Sequence, residues 1–256
     1  MTGQPAGQSS LGRITEGIAK DKLILDTIAW VRRQLSDWRD DPDRPDEQTE
    51  PKLNPQLCKF LEKRARSTFF MVLFTHEEPQ SGHAHVDLSA SPASGTMIGS
   101  KYYSSFDSFL IFECKRLPLP TRKREMEYVT GGIEKSGGIQ RIKLGIHGAE
   151  LDTVVMIGYI QERSSKYWYK TLNTWISKLA AGAIPDCCTW DDSEKLADLN
   201  EDISEGIAEC RSLHSRSSDD TKVSIYHLWI AMSKRKSQRV TSACLLYTSP
   251  SPRDCS

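Results

Sequence analysis

The chain has 256 residues, 38% hydrophobic and 27% charged, and its 34 basic residues balance 34 acidic ones to a formal net charge of zero. This composition predicts one globular domain with a sizeable core, and it lacks the basic excess of a dedicated nucleic-acid binder. No apolar run approaches the roughly 20 residues that cross a bilayer, and the polar N-terminus does not follow the pattern of a secretory signal, so we expect a cytoplasmic protein without a membrane partner.

Two helices are predicted in the N-terminal quarter. Apolar residues within 13–38 recur at the spacing of one face of an amphipathic helix. Residues 40–52 are charged and contain prolines, which predicts a linker. Asn54 as N-cap and Pro55 in the first turn then predict a second helix that runs to about Arg66.

The rest of the chain alternates between strand and helix patterns. Runs of apolar, aromatic or β-branched residues predict strands at 68–75, 83–90, 106–114, 154–161 and 224–232. Helical patterns lie at 122–129 and 166–181, with a weaker one at 193–212. This order predicts an α/β fold with a mixed central sheet flanked by helices.

The domain organisation follows from these patterns. We assign residues 1–52 to an N-terminal helical extension and linker, 53–232 to the main domain, and 233–256 to a tail. The segment CLLYTSPSPRD within residues 244–256 resembles the translation of a sequencing adapter, which predicts that the tail's end is an artefact; a natural Ser/Pro tail is the alternative.

Three side chains in the strand region suggest phosphodiester hydrolysis. Glu113 and Lys115 are two residues apart at the end of an apolar strand, so they point to the same side of the sheet. Asp87 lies on the preceding predicted strand, and a hairpin would bring the two carboxylates together. Carboxylate oxygens bind hard divalent cations such as Mg²⁺, and a lysine beside them stabilises negative charge at phosphorus.

The surrounding segments strengthen this hypothesis. FLIFECKRL, EYVTGGI, GIQRI, MIGYI and SIYHLWI resemble a group of mostly uncharacterised bacterial PD-(D/E)xK restriction-endonuclease-like proteins. The resemblance covers roughly residues 54–232, and ECKRL with the downstream MIGY strand is its distinctive part. It implies a restriction-endonuclease-like core, Asp87 and Glu113 as ligands of Mg²⁺ or Mn²⁺, and Lys115 as the catalytic lysine.

The same resemblance suggests accessory residues and partners. Arg141 in GIQRI would be a helix residue that faces the site, although the segment before it is longer than in the pattern. Glu62, on the helix before the first strand, is at a position where related nucleases often carry an extra acid, but a solvated helix residue is the alternative. The implied partner is nucleic acid, with DNA expected, in restriction or phage defence, together with a homodimer partner or another subunit.

Several alternatives remain open from the residues alone. The same fold could be a catalytically inactive module that binds nucleic acid or protein, or a hydrolase that acts on RNA or nucleotides. The adjacent Cys187 and Cys188 could form a metal or redox pair, but reduced structural thiols are the favoured interpretation. His227 is interpreted as a packed or hydrogen-bonded strand residue rather than a general base.

Overall fold

The computed structural model describes residues 19–80, 84–217 and 221–233. Within them, four α-helices and nine strands follow the chain, with 3₁₀ turns at Arg122–Tyr128, Gly132–Glu134 and Asp192–Glu194. The helices are α1 (Lys20–Asp40), α2 (Glu50–Thr68), α3 (Gly138–Lys143) and α4 (Ser165–Ala180). The strands are β1 (Val72–Pro79), β2 (His85–Pro92), β3 (Thr96–Ile98), β4 (Lys101–Tyr103), β5 (Leu110–Leu117), β6 (Thr153–Ile160), β7 (Ala197–Asp202), β8 (Ile207–Ser215) and β9 (Lys222–Ala231).

Seven of the strands form one mixed sheet in the order β1-β2-β5-β6-β9-β8-β7, while β3 and β4 pair separately. The parallel pairs are β5 with β6 and β6 with β9, and the other pairs of the large sheet are antiparallel. The central strands β5 and β6 are buried almost throughout because both of their faces are covered. The predicted α/β class with a mixed sheet is therefore confirmed.

The sheet separates two apolar cores. Helices α1 and α2 pack on one face, where Trp38 and Leu57 belong to the same cluster as Phe112 and Cys114 of β5. On the other face, Trp168 of α4 packs with residues that include Met156 and Trp229. Because side chains alternate along a strand, the residues of β5 divide between the two cores, and Glu113 and Lys115 face away from Cys114.

Several element predictions were wrong. The strand predicted at 68–75 is displaced, since α2 continues to Thr68 and β1 runs from Val72 to Pro79. Helix α2 begins at Glu50, inside the segment predicted as a linker, and Asn54 is buried within the helix instead of capping it. Residues 193–212 contain strands β7 and the first part of β8 rather than a helix. Strand β8 pairs with β9 along nine residues, and this tertiary pairing overrides the weak helical pattern.

Some expectations fall on residues outside those described. These are the start of the first predicted helix and the adapter-like segment at 244–256. The residues predicted as strand 154–161 lie almost entirely in β6, and those predicted as helix 122–129 form a 3₁₀ turn. In the described part of the chain, no helix combines the length and apolar character needed to span a membrane.

A chain of polar side chains crosses the core next to α4. Trp229 Nε1 donates to Tyr128 Oη at 2.9 Å, and Tyr128 Oη is hydrogen-bonded to His227 Nδ1, also at 2.9 Å. Ser212 Oγ lies 2.8 Å from both His227 Nε2 and His214 Nε2. An indole nitrogen only donates, so a single direction of donation gives each of these four contacts one donor and one acceptor when both imidazoles are neutral. His227 is thus a buried, hydrogen-bonded strand residue, as the sequence indicated.

Acid should destabilise the protein through this chain. Burial, followed by repulsion from His214, lowers the pKa of His227 to about 3. In the unfolded chain, His227 binds a proton as the pH falls below about 6.5, whereas in the folded chain it stays neutral. The free energy of unfolding therefore decreases as the pH falls below that value. From this residue we expect a loss of about 2 kcal/mol between pH 7.5 and pH 5.

The measurement is urea unfolding at both pH values for the wild type and for His227→Gln. Groups that titrate in both proteins cancel in the comparison, so the variant should lose about 2 kcal/mol less on acidification. His85→Gln, which changes an exposed imidazole on β2, is the matched control and should behave as the wild type does. Equal acid sensitivity of the wild type and His227→Gln would contradict the prediction.

Candidate active site

The candidate site begins where β2 and β5 separate. The regular pairing of the two strands ends at Leu88 and Phe112, so Asp87 and Glu113 are the next residues on their respective strands. In place of further backbone pairing, Asp87 Oδ2 accepts a hydrogen bond from the Cys114 backbone amide at 2.7 Å. The fork between the strands therefore fixes the Asp87 carboxylate beside the backbone of β5.

A second hydrogen-bond path orients Asp87 from the opposite side. Asn54 Nδ2 of α2 donates to Asp87 Oδ1 at 2.8 Å, and Tyr159 Oη of β6 donates to Asn54 Oδ1 at 3.1 Å. Asn54 and Tyr159 are buried, and Tyr159 belongs to the MIGY segment. Residues from α2, β5 and β6 therefore hold this single carboxylate.

Glu113 and Lys115 form a buried ion pair on the same side of β5. Lys115 Nζ lies 3.0 Å from Glu113 Oε1 and 3.1 Å from Glu50 Oε1, and Glu113 and Lys115 are only 1% and 6% exposed. The other oxygen of Glu50 accepts from the Arg116 backbone amide at 3.1 Å. Glu50, in the first turn of α2, is thus the second carboxylate in contact with Lys115.

The segment that follows the 3₁₀ turns surrounds Glu113 with further donors. His147 Nδ1 lies 2.8 Å from Glu113 Oε2, and Arg141 Nη1 of α3 is 3.8 Å from Glu113 Oε1. Helix α3 begins with Gly138, where a Cβ would lie 2.6 Å from Met156 Cε and 3.4 Å from Glu113 Cγ. Glycine at this position allows the helix to pack directly on the glutamate.

The two strand carboxylates differ in their protonation. Burial, and next the neighbouring Glu113, raise the pKa of Asp87 to about 7. Burial also raises the pKa of Glu113, but the Lys115 ammonium and the His147 hydrogen bond outweigh it and lower that pKa to about 2. Burial lowers the pKa of Lys115, yet Glu113 and Glu50 dominate and raise it well above its usual value. Glu113 and Lys115 are therefore a charged pair, and Asp87 resists becoming a second anion beside Glu113.

The donor set suits a hard divalent cation. Asp87, Glu113 and Glu50 bring three carboxyl groups close to one lysine, and carboxylate oxygens are the ligands that hard divalent cations prefer. Glu113 Oε1 is buried and, apart from its ion-pair contacts, accepts no hydrogen bond of good geometry. The carboxylate oxygens of this site do not lie close enough together to form a preformed metal site. Among the described residues, one group has three His, Cys, Asp or Glu ligand atoms within 4.8 Å of one another, and it consists of Asp186, Cys187 and Cys188.

Comparison with known proteins assigns no family to this arrangement. The chain matches no protein-family model, no curated protein and no solved structure. Function must therefore be inferred from the side chains around Glu113.

The structure brings together four of the five residues singled out from the sequence. Asp87, Glu113 and Lys115 meet at the strand fork, and Arg141 reaches Glu113 from α3. Glu62 lies elsewhere: its Oε2 accepts from the Phe74 backbone amide at 2.9 Å, and its Oε1 pairs with Arg66.

Three residues of the site had no role in the sequence interpretation. Glu50 falls in the segment predicted as a linker, Asn54 is predicted to cap a helix, and His147 follows a glycine-rich stretch without a motif of its own. Glu50 and Asn54 lie one turn apart on α2, so recognising the helix start at Glu50 would have revealed that both could face the sheet. No local pattern identifies His147, which is 34 residues from its partner Glu113 along the chain.

Proposed function

We propose that this protein is a metal-dependent nuclease that hydrolyses phosphodiester bonds, with DNA as its substrate and Mg²⁺ or Mn²⁺ as its cofactor. The observation that carries the proposal is the contact of Lys115 with Glu113 beside the fork that holds Asp87. When bound, the cation would polarise the phosphoryl oxygen and lower the pKa of the attacking water. The earlier resemblance to PD-(D/E)xK proteins supports this activity and its assignment to restriction or phage defence.

Each residue has a definite task in this proposal. Asp87 and Glu113 are the cation ligands, and the Asn54 and Cys114 amide hydrogen bonds hold Asp87 in orientation. Lys115, held between two carboxylates, supplies positive charge where the transition state gathers negative charge on the phosphate oxygens. His147 fixes the far oxygen of Glu113, which leaves Oε1 turned toward Lys115 and Arg141.

The phosphate would approach from the partly exposed rim of the site. Glu113 is almost fully buried, whereas the side chains of Glu50 and Arg141 remain 21% and 33% exposed and Asp87 is partly buried. Arg141 therefore combines contact with the buried glutamate and access to solvent. A guanidinium in that position can bind a phosphate oxygen of the substrate backbone.

The direct test is cleavage of supercoiled plasmid by the purified chain with Mg²⁺, with Mn²⁺ and with EDTA. Calorimetric titration of Mg²⁺ into wild type and Glu113→Gln adds a measurement that does not depend on finding the right substrate. We expect cleavage in either metal, no cleavage in EDTA, and a binding site that Glu113→Gln removes. Folded protein that neither cleaves DNA nor binds Mg²⁺ would refute the proposal.

A second candidate function is a catalytically inactive binding module on the same fold. One observation favours it. Among the described residues, the carboxylates of the site do not form a group of three ligand atoms within 4.8 Å of one another. The balanced net charge agrees with such a module. The titration above separates the candidates, because an inactive module predicts no Mg²⁺ site that depends on Glu113.

Two glutamates of α2 provide a matched pair for testing the site. Glu50 contacts Lys115, whereas Glu62 lies twelve residues further on, about 18 Å along the helix axis, and binds the Phe74 amide. We expect Glu50→Gln to lower the rate of plasmid cleavage about tenfold to a hundredfold, because Lys115 loses a charged partner that positions it. Glu62→Gln should retain the wild-type rate, and equal effects of the two changes would contradict the assignment of Glu50 to the site.

A further inference from the structure

The loop after α4 contains a cluster of potential metal ligands that the proposed nuclease site does not use. Asp186, Cys187 and Cys188 each present a ligand atom, and these three atoms lie within 4.8 Å of one another. Cys187 is exposed, Cys188 is intermediate in exposure, and both are free thiols. The cluster lies against the segment between the first 3₁₀ turn and α3, with Thr130 and Gln140 among its contacts.

The Asp186 carboxylate is held as a ligand carboxylate would be. Thr130 Oγ1 donates to Oδ2, and the Cys188 backbone amide donates to Oδ1 at 2.7 Å. Gln140 Nε2 lies 3.0 Å from Oδ1 and 3.1 Å from Oδ2. Three donor groups therefore fix the orientation of this carboxylate beside the two sulfur atoms.

The two sulfur atoms are also positioned by neighbouring groups. Gln140 Nε2 donates to the Gly132 carbonyl oxygen at 2.6 Å and lies 3.5 Å from Cys187 Sγ, so one amide group lies against both the carboxylate and a sulfur. Cys187 Sγ lies 3.7 Å from the Gly132 carbonyl oxygen and Cys188 Sγ lies 3.9 Å from the Gln140 carbonyl oxygen. Both thiols can release these weak contacts when a metal takes up their lone pairs.

We propose that Asp186, Cys187 and Cys188 bind one zinc ion, which is separate from the cation of the nuclease site. Two sulfurs and one oxygen are ligands for a borderline-soft ion such as Zn²⁺, not for Mg²⁺. In a tetrahedral site with Zn–S distances of about 2.3 Å, two sulfur ligands lie about 3.8 Å apart, so atoms within 4.8 Å need to move by only about 1 Å.

Binding would leave the fourth coordination position to water. Each thiol would release its proton to solvent as it coordinates, and three anionic ligands around Zn²⁺ would leave one net negative charge. All three protein ligands lie in the loop after α4, where the Asp186 carboxylate also accepts hydrogen bonds from Thr130 and Gln140.

The test uses cobalt as a spectroscopic probe in the full chain, reduced and freed of metal beforehand. Cobalt bound through thiolates gives a charge-transfer absorption in the near ultraviolet that oxygen ligands do not give. We expect the wild type to develop this band with one cobalt ion per chain and to lose it when zinc is added. Cys187→Ser and Cys188→Ser should each abolish the band and weaken zinc binding about tenfold or more.

Two controls distinguish this site from other thiols and from the nuclease centre. Cys58→Ser removes a buried thiol in the core on the opposite face of the sheet, and Glu113→Gln changes the proposed nuclease site. Both variants should keep the cobalt band. A reduced wild type without the band, or a band that persists in both Cys187→Ser and Cys188→Ser, would overturn the proposal.

Discussion

Asp87→Asn is expected to abolish metal-dependent cleavage while leaving the protein folded. The change removes one of the two carboxylates proposed to bind the cation. Losing about 4 kcal/mol of the stabilisation that a metal gives the transition state lowers the rate about a thousandfold. The amide is isosteric with the carboxylate. Its oxygen can accept from the Cys114 amide, and its NH₂ group can donate to Asn54 once the Asn54 amide is rotated, with Tyr159 Oη then accepting.

Stability separates this variant from one that merely fails to fold. Asp87→Asn removes a negative charge beside Glu113, so in EDTA its free energy of unfolding should rise by about 1 kcal/mol. Lys115→Met should also lose activity but should destabilise the protein, because Glu113 is left buried without its ammonium partner. Plasmid cleavage and urea unfolding measure both effects. Undiminished cleavage by Asp87→Asn would remove Asp87 from the catalytic site.

Arg216→Met is expected to cause the largest loss of stability. The Arg216 side chain is buried and donates to the carbonyl oxygens of Ile142, Gly148 and Leu151, each at 2.7 Å. Methionine would fill much of the volume but leave three carbonyl groups without this donor. We expect the free energy of unfolding to fall by about 3–5 kcal/mol.

The same substitution at a neighbouring arginine provides the control. Arg211 lies on β8, is exposed, and packs over the Tyr226 ring at 4.5 Å. Arg211→Met should therefore cost less than about 1 kcal/mol in urea unfolding. A similar loss in both variants would show that the three carbonyl contacts contribute little. Because these contacts hold the ends of the segment that contains His147, Arg216→Met should also weaken Mg²⁺ binding at Glu113.

The Glu113 and Lys115 pair illustrates what local pattern can predict about a site. Alternation along a strand places residues two apart on one face, so their contact follows from the apolar run before them. The convergence of Asp87 required only one further step, a hairpin between neighbouring strands. In the structure, β2 does pair with β5 and the pairing ends at this point.

The remaining contacts of the site depend on long-range packing. Glu50 is 65 residues from Lys115, and His147 is 34 residues from Glu113. Contacts between residues so far apart along the chain produce no periodic pattern in the sequence. Both Glu50 and Glu62 lie on α2, and only the docking of the helix against the sheet determines that Glu50 meets Lys115.

The sequence by itself determined the α/β class, the apolar runs of β5 and β6, and the face shared by Glu113 and Lys115, because these properties follow from the spacing of side chains along one element. Tertiary structure alone decided the strand character of β8, the early start of α2 and the identity of the side chains that surround Glu113. These features arise from pairing and burial between distant segments, whose energies exceed the weak local preferences of the residues involved.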